Sequence, residues 1–197
     1  INAVILEKAR IGHCSTSITT SLLQYELDSN AMALKEYIST ENVVKAYKLG
    51  LKALSEIEEF VNEHGNNFDY KKSDSFLYTS KKLEIKEIEQ EYNLRKEAGL
   101  DVEFIDVNNN PFSLDVKAGI LSKSGGTKID PYKYTHSLLD VACKKGLKVY
   151  ENTEVVKIQY NENDVVAETV YGHKVKGKII IVATGYNTSF FTKRTFG

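Results

Sequence analysis

An uninterrupted run of β-branched residues near the end of the chain constrains the fold most strongly. Residues 179–182 read Ile-Ile-Ile-Val, and Ala183, Thr184 and Gly185 follow directly. Apolar residues that do not alternate with polar ones predict a strand buried on both faces, as in a parallel or layered α/β sheet. The small residues behind the run allow the backbone to turn sharply and to approach a ligand closely. We therefore expect a core strand over 174–182 that ends in a tight turn.

The pattern ahead of this run predicts a mixture of helices and strands. The longest helical pattern covers 41–64, between Thr40 as N-cap and Gly65 as the C-terminal stop. The other predicted elements are, in chain order, a strand over 3–7, a strand over 75–79, a helix over 81–98, strands over 102–105 and 116–121, a turn over 122–126, and strands over 147–150, 155–160 and 165–170.

A further helix is predicted between the turn at 122–126 and the strand at 147–150. Asp130 is a suitable N-cap, Pro131 suits the first helical position, and Gly146 supplies the stop. We expect this helix to bury Leu138, Val141, Ala142 and Cys143.

Composition excludes several classes of protein. The net charge is −1 and the isoelectric point is about 6.5, so nothing resembles the basic footprint of a nucleic-acid-binding protein. No apolar run approaches the ~20 residues that cross a bilayer, and the four histidines lack metal-ligand spacing. The two cysteines, Cys14 and Cys143, lie far apart, which favours a reducing cytoplasm over a disulfide framework.

Glu7 follows a short apolar run at 3–6 and is the first candidate for a binding role. A carboxylate at the end of the second strand of a dinucleotide-binding βαβ unit accepts hydrogen bonds from ribose hydroxyls. Such a unit needs a glycine fingerprint about 20 residues earlier, and no GxGxxG occurs anywhere in the sequence. Either Glu7 is an ordinary exposed residue, or the phosphate-binding loop lies outside this chain. The start at Ile1, inside an apolar run, leads us to expect a piece of a longer protein.

A cluster of serines and threonines at 12–23 is the second candidate. Its sequence, GHCSTSITTSLL, offers backbone amides and short hydroxyls that can bind a phosphate or the edge of a flavin. The same residues also suit a helix-capping loop, and composition does not separate the two interpretations.

The order of these motifs resembles the D-amino-acid oxidase superfamily of FAD-dependent oxidoreductases, which includes glycine oxidase, sarcosine oxidase and aerobic glycerol-3-phosphate dehydrogenases. Four stretches carry the resemblance: VILEK, GHCSTSITTSLL, GGTKIDPYKYTHSLLDVACKKGLKVYENTEVVKI and IIIVATGY. Together they span nearly the whole chain. The resemblance implies an α/β to α+β fold with a partial Rossmann-like, three-layer FAD-binding domain, a β-meander and an inserted α+β segment of a substrate-binding domain.

The resemblance assigns cofactor contacts residue by residue. Glu7 would bind the adenosine ribose, Lys8 would lie beside the adenine, and Val155 would clamp the adenine with its backbone amide and carbonyl. The remaining implied contacts are Ser15 and Thr16 at the pyrophosphate, Thr20, Ser21 and Leu22 against the flavin, and Thr184 and Gly185 close to the cofactor. His13 lies too early in its loop to match a covalent flavin attachment, so non-covalent FAD is expected.

The same resemblance divides the chain and suggests an activity. Residues 1–60 and 124–197 would form the partial FAD-binding domain, and 61–123 the inserted substrate-domain segment. The parent enzyme would oxidise a small amine, amino acid or polyol phosphate by hydride transfer to flavin. The 197-residue piece itself would bind FAD poorly and would not turn over. The catalytic residues are not assigned, because those that clamp the substrate normally lie beyond the ATG strand.

Two other functions compete with this one. A non-catalytic accessory domain could retain the fold without any chemistry. An NAD-dependent dehydrogenase fits less well, because the serine- and threonine-rich loop and the helix–meander–ATG order match flavoproteins better.

Overall fold

A computed structural model describes residues 2–185 of the chain. The chain separates into two compact units. We call residues 2–18 and 135–185 the terminal unit, and Thr19–Tyr134 the central unit. The central unit takes in residues 19–60 and 124–134 in addition to the predicted substrate-domain segment at 61–123.

The described residues form a mixed α/β structure of nine strands and five α-helices. The strands are β1 (Val4–Leu6), β2 (Leu22–Gln24), β3 (Lys71–Thr79), β4 (Val102–Asp106), β5 (Ala118–Lys128), β6 (Lys148–Tyr150), β7 (Val155–Tyr160), β8 (Val165–Thr169) and β9 (Lys174–Gly177). The helices are α1 (Ser15–Ile18), α2 (Ala31–Leu34), α3 (Thr40–His64), α4 (Ile85–Glu97) and α5 (Pro131–Lys144), and a 3₁₀ turn covers Lys82–Glu84.

The terminal unit contains a parallel pair and a separate meander. β1 and β6 run parallel with Ile5 opposite Val149, which puts their carboxyl ends at the same edge. β7, β8 and β9 form an antiparallel meander. Its first hairpin closes where the Asn161 amide N–H donates to the Asp164 carbonyl at 2.9 Å, as the polar sequence there predicts.

The central unit is built on the long strand β5. It pairs with β3 along one edge, and with β4 and then β2 along the other, all antiparallel. Helices α3 and α4 pack on one face of this sheet, and the short helix α2 packs against both of them. The core between them contains Tyr25, Ala31, Val43, Tyr47, Ile88, Leu94, Leu100, Val102, Ala118 and Ile120.

The predicted helix at 41–64 is confirmed, with a correction at its first residue. Thr40 is already helical, and Ser39 is the N-cap, because its side chain accepts a hydrogen bond from the Asn42 amide at 3.3 Å. At the other end Gly65 has φ +86° and donates its amide to the Val61 carbonyl at 2.8 Å. A left-handed φ at this point favours glycine, which explains the stop.

The predicted turn over 122–126 is wrong, because β5 continues through it. The irregularity indicated by the serines and glycines is a bulge instead: the β3–β5 register shifts between Ser73 and Ser75. Asp74 accepts the Ser124 amide at 2.8 Å in this bulge. A Cβ at Gly125 would lie 2.7 Å from the Ser75 hydroxyl, so glycine there reflects close packing rather than chain reversal.

Helix α5 begins as predicted but buries less than predicted. The Asp130 carboxylate accepts the Lys133 amide at 3.0 Å, and Pro131 is the first helical residue. No residue of α5 is fully buried, Leu138 is 40% exposed, and Cys143 is exposed rather than a core residue. Helical spacing predicted a buried apolar stripe, but a stripe becomes core only where another element covers it.

The predicted core strand over 174–182 is shorter and more exposed than expected. β9 ends at Gly177, and residues 178–185 are not in a strand. Ile179 and Ile181 are 81% and 87% exposed. A β-branched run favours strand geometry, but burial requires neighbouring strands, and the described residues supply none beyond Gly177. The IIIVATGY stretch ends at Tyr186, which lies outside the described residues.

A buried charged network holds the central unit together. Arg95 donates from Nε to Glu91 Oε1 at 2.8 Å and from Nη1 to Glu26 Oε1 at 2.9 Å. The three side chains are 1%, 0% and 8% exposed, respectively, for Arg95, Glu91 and Glu26. The guanidinium also lies 5.5 Å and 5.1 Å from the ring centroids of Tyr25 and Tyr47. Cation–π contacts and two carboxylates thus surround one buried cation.

The network shifts the ionisation of its two tyrosines. Burial raises the pKa of Tyr25, although Arg95 partly opposes the shift. Burial, reinforced by the nearby Glu91 carboxylate, raises the pKa of Tyr47 strongly. Both phenols therefore stay neutral and able to donate hydrogen bonds, as Tyr47 does to Glu91 Oε1 at 2.8 Å.

This arrangement predicts a split alkaline titration of the 12 tyrosines. Tyr25 and Tyr47 should ionise only as the unit unfolds, at a pH above the ordinary phenol pKa of ~10. Because folding raises their pKa, their contribution to stability is complete below pH ~10 and is lost as the pH rises through the folded-state values. Phenolate absorbance recorded together with circular dichroism tests this. A Tyr47→Phe variant should lose amplitude only from the late phase, and ionisation of every phenol before unfolding would contradict the assignment.

Candidate functional site

The carboxyl end of β1 brings Glu7 against the segment that follows β6. The Glu7 amide donates to the Tyr150 carbonyl at 2.9 Å, and the Thr153 amide donates to the Glu7 carbonyl at 2.7 Å. The Glu7 carboxylate accepts the Ala9 amide at 2.8 Å, which orders the turn behind the strand. The parallel pairing of β1 with β6 explains this arrangement, since it sets both carboxyl ends side by side.

Lys8 lies next to the first residue of the meander. Its Nζ is 2.8 Å from Glu154 Oε1, and both side chains are partly or largely exposed. The hydrogen bond and charge of Glu154 raise the pKa of Lys8. Since Val155 follows Glu154 and begins β7, the structure brings together the three residues predicted around the adenosine. We call Glu7, Lys8 and residues 150–155 the β1-end cluster.

Two further contacts, which sequence reasoning missed, fix the loop behind this cluster. The Ile11 amide donates to Glu151 Oε1 at 2.8 Å, and the Asn152 amide donates to the Ala9 carbonyl at 2.8 Å. Asn152 has φ +51°, a left-handed conformation that asparagine tolerates better than most residues. The adjacency of these residues depends on a pairing across some 140 positions, and the only local signal was the Glu-Asn dipeptide after a strand.

Ser15 and Thr16 begin the one-turn helix α1 in the serine- and threonine-rich loop. Ser15 is exposed and Thr16 is half-buried. Ser17 closes the turn by donating its hydroxyl to the Cys14 carbonyl at 2.9 Å. The loop therefore has one local hydroxyl-to-backbone hydrogen bond and an exposed Ser15, and the binding role of Ser15 and Thr16 stays a prediction.

Thr20, Ser21 and Leu22 belong to the central unit. Ser21 is 6% exposed with φ +50°, and its amide donates to the Thr19 hydroxyl at 3.3 Å. Thr20 is exposed, and Leu22 is 66% exposed at the start of β2. An exposed leucine on an ordered strand can cover an apolar ligand surface.

Thr184 and Gly185 close the described part of the chain. Both are exposed, and Gly185 has φ +65°. Among the described residues other than its chain neighbour, no atom lies within 4 Å of the position that a Cβ would take at Gly185. The backbone at Gly185 is thus open to close approach, and its contact with a cofactor stays a prediction.

Within residues 2–185, no group of three or more histidine, cysteine, aspartate or glutamate side chains could hold a metal ion. No helix in the same range is both long and apolar enough to cross a bilayer.

Comparison with known proteins decides the family. The model of the FAD-dependent oxidoreductase family, DAO, matches residues 1–197. The chain belongs to this family. Among curated proteins it is similar to YhfW of Bacillus subtilis, whose name describes a Rieske 2Fe-2S iron-sulfur protein. The two are 22% identical over 93% of this chain and 35% of YhfW.

Solved structures show the same fold. L-proline dehydrogenase from P. horikoshii superimposes with a TM-score of 0.72 at 20% identity, over 93% of this chain and 46% of that one. Glycine oxidase from Geobacillus kaustophilus superimposes with a TM-score of 0.73 at 18% identity, over 93% and 48%. The chain therefore spans less than half the length of these structures and about a third of YhfW.

Proposed function

We propose that this chain is part of a flavoenzyme that oxidises a small amine, amino acid or polyol phosphate, with FAD bound non-covalently. The observation that carries the proposal is the β1-end cluster, in which a carboxylate at the end of a parallel strand lies against the start of the meander. Membership of the FAD-dependent oxidoreductase family supports the same function.

The residues of the cluster fit the adenosine half of FAD chemically. Glu7 offers a carboxylate that can accept from ribose hydroxyls, and Val155 begins a strand whose backbone can pair with the adenine edge. Lys8 would lie beside the adenine while its ion pair with Glu154 sets its direction. These side chains hold and orient the cofactor and are not proposed to react.

The remaining predicted contacts supply hydroxyls and an open backbone. Ser15 and Thr16 would donate to the pyrophosphate, the group that a helix N-terminus binds in dinucleotide-binding folds. The flavin contacts proposed are Thr20, Ser21, Leu22, Thr184 and Gly185. FAD, when bound, supplies the hydride acceptor, and the protein's part is to position the substrate and exclude water. The central unit, which includes residues 61–123, would contribute to the substrate-binding domain.

The relative YhfW suggests a second feature of the full-length protein. Its name describes a Rieske 2Fe-2S protein, so an iron–sulfur centre outside the described residues is a candidate electron acceptor in place of oxygen. A dehydrogenase of this kind would reduce an artificial dye while consuming little oxygen. An oxidase would consume oxygen at the same rate as substrate.

Flavin content and an adenosine-site variant test the proposal. We expect the full-length gene product to purify yellow and the 197-residue chain to purify nearly colourless. In the full-length protein, Glu7→Leu should weaken FAD binding about tenfold, the effect of losing one charged hydrogen-bonding group of about 1.5 kcal/mol. Glu162→Leu, which alters an exposed hairpin turn, is the matched control.

The outcomes separate the competing functions. A full-length protein that binds no FAD and reduces no dye with amines, amino acids or polyol phosphates would favour the accessory domain and overturn the proposal. Tight FAD binding by the isolated chain would overturn the expectation that the fragment binds poorly. Codons for V-x-G-x-G-x-x-G upstream of Ile1 would support the enzyme.

A further inference from the structure

Two lysines stand directly opposite each other on the helix-free face of the central sheet. β3 and β5 pair with Lys71 opposite Lys128. The neighbouring row on the same face holds Gln24, Gly126 and Ser73, because residues two positions apart along a strand share a face. We call Lys71, Lys128, Gln24 and Ser73 the lysine patch.

The alternation of side chains shows which face carries the patch. Lys72, one residue after Lys71, reaches helix α3, where its Nζ is 2.7 Å from Glu58 Oε2. Thr127, one residue before Lys128, is 2% exposed. Lys71 and Lys128 therefore lie on the face opposite the helices, and both are exposed.

The charges of the patch are not balanced. Nearby lysines are paired: Lys72, Lys123 and Lys133 each have an acidic partner within 4 Å. No ion pair among residues 2–185 involves Lys71 or Lys128. Like charges directly opposite each other on a ladder destabilise a sheet, so an anion that neutralises both ammonium groups would stabilise this one.

Between Gln24 and Ser73 the surface of the sheet is formed by the backbone of Gly126. A Cβ at Gly126 would lie 3.0 Å from the Leu23 carbonyl oxygen, which is tighter than ordinary contact. Glycine therefore leaves the space between Gln24 and Ser73 clear of side chains. The amide of Gln24 and the hydroxyl of Ser73 can both donate hydrogen bonds to a group that enters it.

We propose that the lysine patch binds an oxyanion, either a carboxylate or a phosphate group, between the Nζ atoms of Lys71 and Lys128. Gln24 and Ser73 donate to its oxygens, and the bound charge relieves the repulsion between the lysines. Leu22, which the proposed function places against the flavin, lies directly opposite Lys128 in the same row. The site still lies wholly within the central unit, and anion binding is measured without flavin. Its failure is therefore distinguishable from failure of the proposed oxidoreductase function.

Titration of the 197-residue chain with inorganic phosphate and, separately, with acetate tests the site by amide chemical shifts. We expect saturable shifts at both strands, weakened roughly fivefold in Lys71→Gln and in Lys128→Gln. Lys72→Gln removes the same charge one residue away on the opposite face and should leave the affinity unchanged. Tighter phosphate than acetate binding identifies a phosphate ligand, and the reverse a carboxylate. Equal weakening in Lys72→Gln, or shifts that never saturate, would overturn the proposal.

A charge reversal gives a second, independent readout. Lys71→Glu places a carboxylate opposite Lys128, so phosphate binding should be abolished while the melting temperature rises. Residual binding in this variant, or a lower melting temperature with wild-type structure retained, would count against the site.

Discussion

Replacing Arg95 by methionine should destabilise the central unit by about 3–5 kcal/mol, the usual cost of removing one partner from a buried ion pair. Glu26 and Glu91 would then be two buried carboxylates without a cation. One carboxylate oxygen of Glu26 already lacks a hydrogen bond, because its Oε2 is buried and has no partner among the described residues. A loss of this size is a large part of the 5–15 kcal/mol that stabilises a typical domain.

Urea unfolding followed by circular dichroism measures the loss, since the chain has no tryptophan to report fluorescence. Lys86→Met is the matched control, because it removes an exposed cation from the same helix, and should change the unfolding free energy by less than ~0.5 kcal/mol. If Arg95→Met is too unstable to purify, Arg95→Lys is measured instead. It keeps the charge but cannot make both guanidinium hydrogen bonds to Glu91 and Glu26.

A double variant separates charge from packing. Adding Glu26→Gln to Arg95→Met removes one uncompensated charge, so the double variant should be more stable than the single one. Additive losses would mean that Arg95 acts through its packing against Tyr25 and Tyr47 alone. An Arg95→Met variant within ~1 kcal/mol of wild type would refute the network as a stabilising element.

The elements that the sequence predicted well are those with strong local signals. Helix α3 has 25 residues of periodic pattern between a cap and a glycine, and the hairpin at 161–164 has a polar turn between apolar strands. Glu7 and Val155 were predicted as parts of one site, and the structure does bring their segments together. Their contact with one cofactor stays a prediction, and it rests on the order of motifs across the family, because 148 positions separate the two residues.

The features that escaped prediction depend on distant parts of the chain. Arg95 and Glu91 lie on helix α4, whose sequence is rich in charged residues. Nothing in the local sequence therefore distinguishes these two buried residues from the solvent-exposed charged residues around them. The exposure of Ile179 and the continuity of β5 through 122–126 depend on which strands are adjacent. Lys71 and Lys128 become a pair only through cross-strand register, which no local pattern specifies.

Gly50→Ala should destabilise the protein by about 1–3 kcal/mol, as overpacking a tight contact does, although alanine is normally the better helix former by about 1 kcal/mol. A Cβ at Gly50 would lie 2.7 Å from the Tyr25 carbonyl oxygen and 2.9 Å from its Cα. Both atoms are backbone, so neither can move aside by changing rotamer. Helix α3 and the strand end at Tyr25 would have to separate, which would loosen the contact between Tyr25 and Tyr47, whose ring centroids are 5.5 Å apart.

The sign of the change makes this prediction decisive. Lys48→Ala, at an exposed position of the same helix, should be neutral to stabilising and reports the intrinsic helix preference alone. Truncating the Tyr25 ring in a Gly50→Ala background should not restore stability, because the overlap involves the Tyr25 backbone. Urea unfolding of Gly50→Ala, Lys48→Ala and the double variant measures the change in unfolding free energy for each. A Gly50→Ala variant more stable than wild type would show that α3 does not approach the Tyr25 backbone this closely, and the packing of the helix on the sheet would need revision.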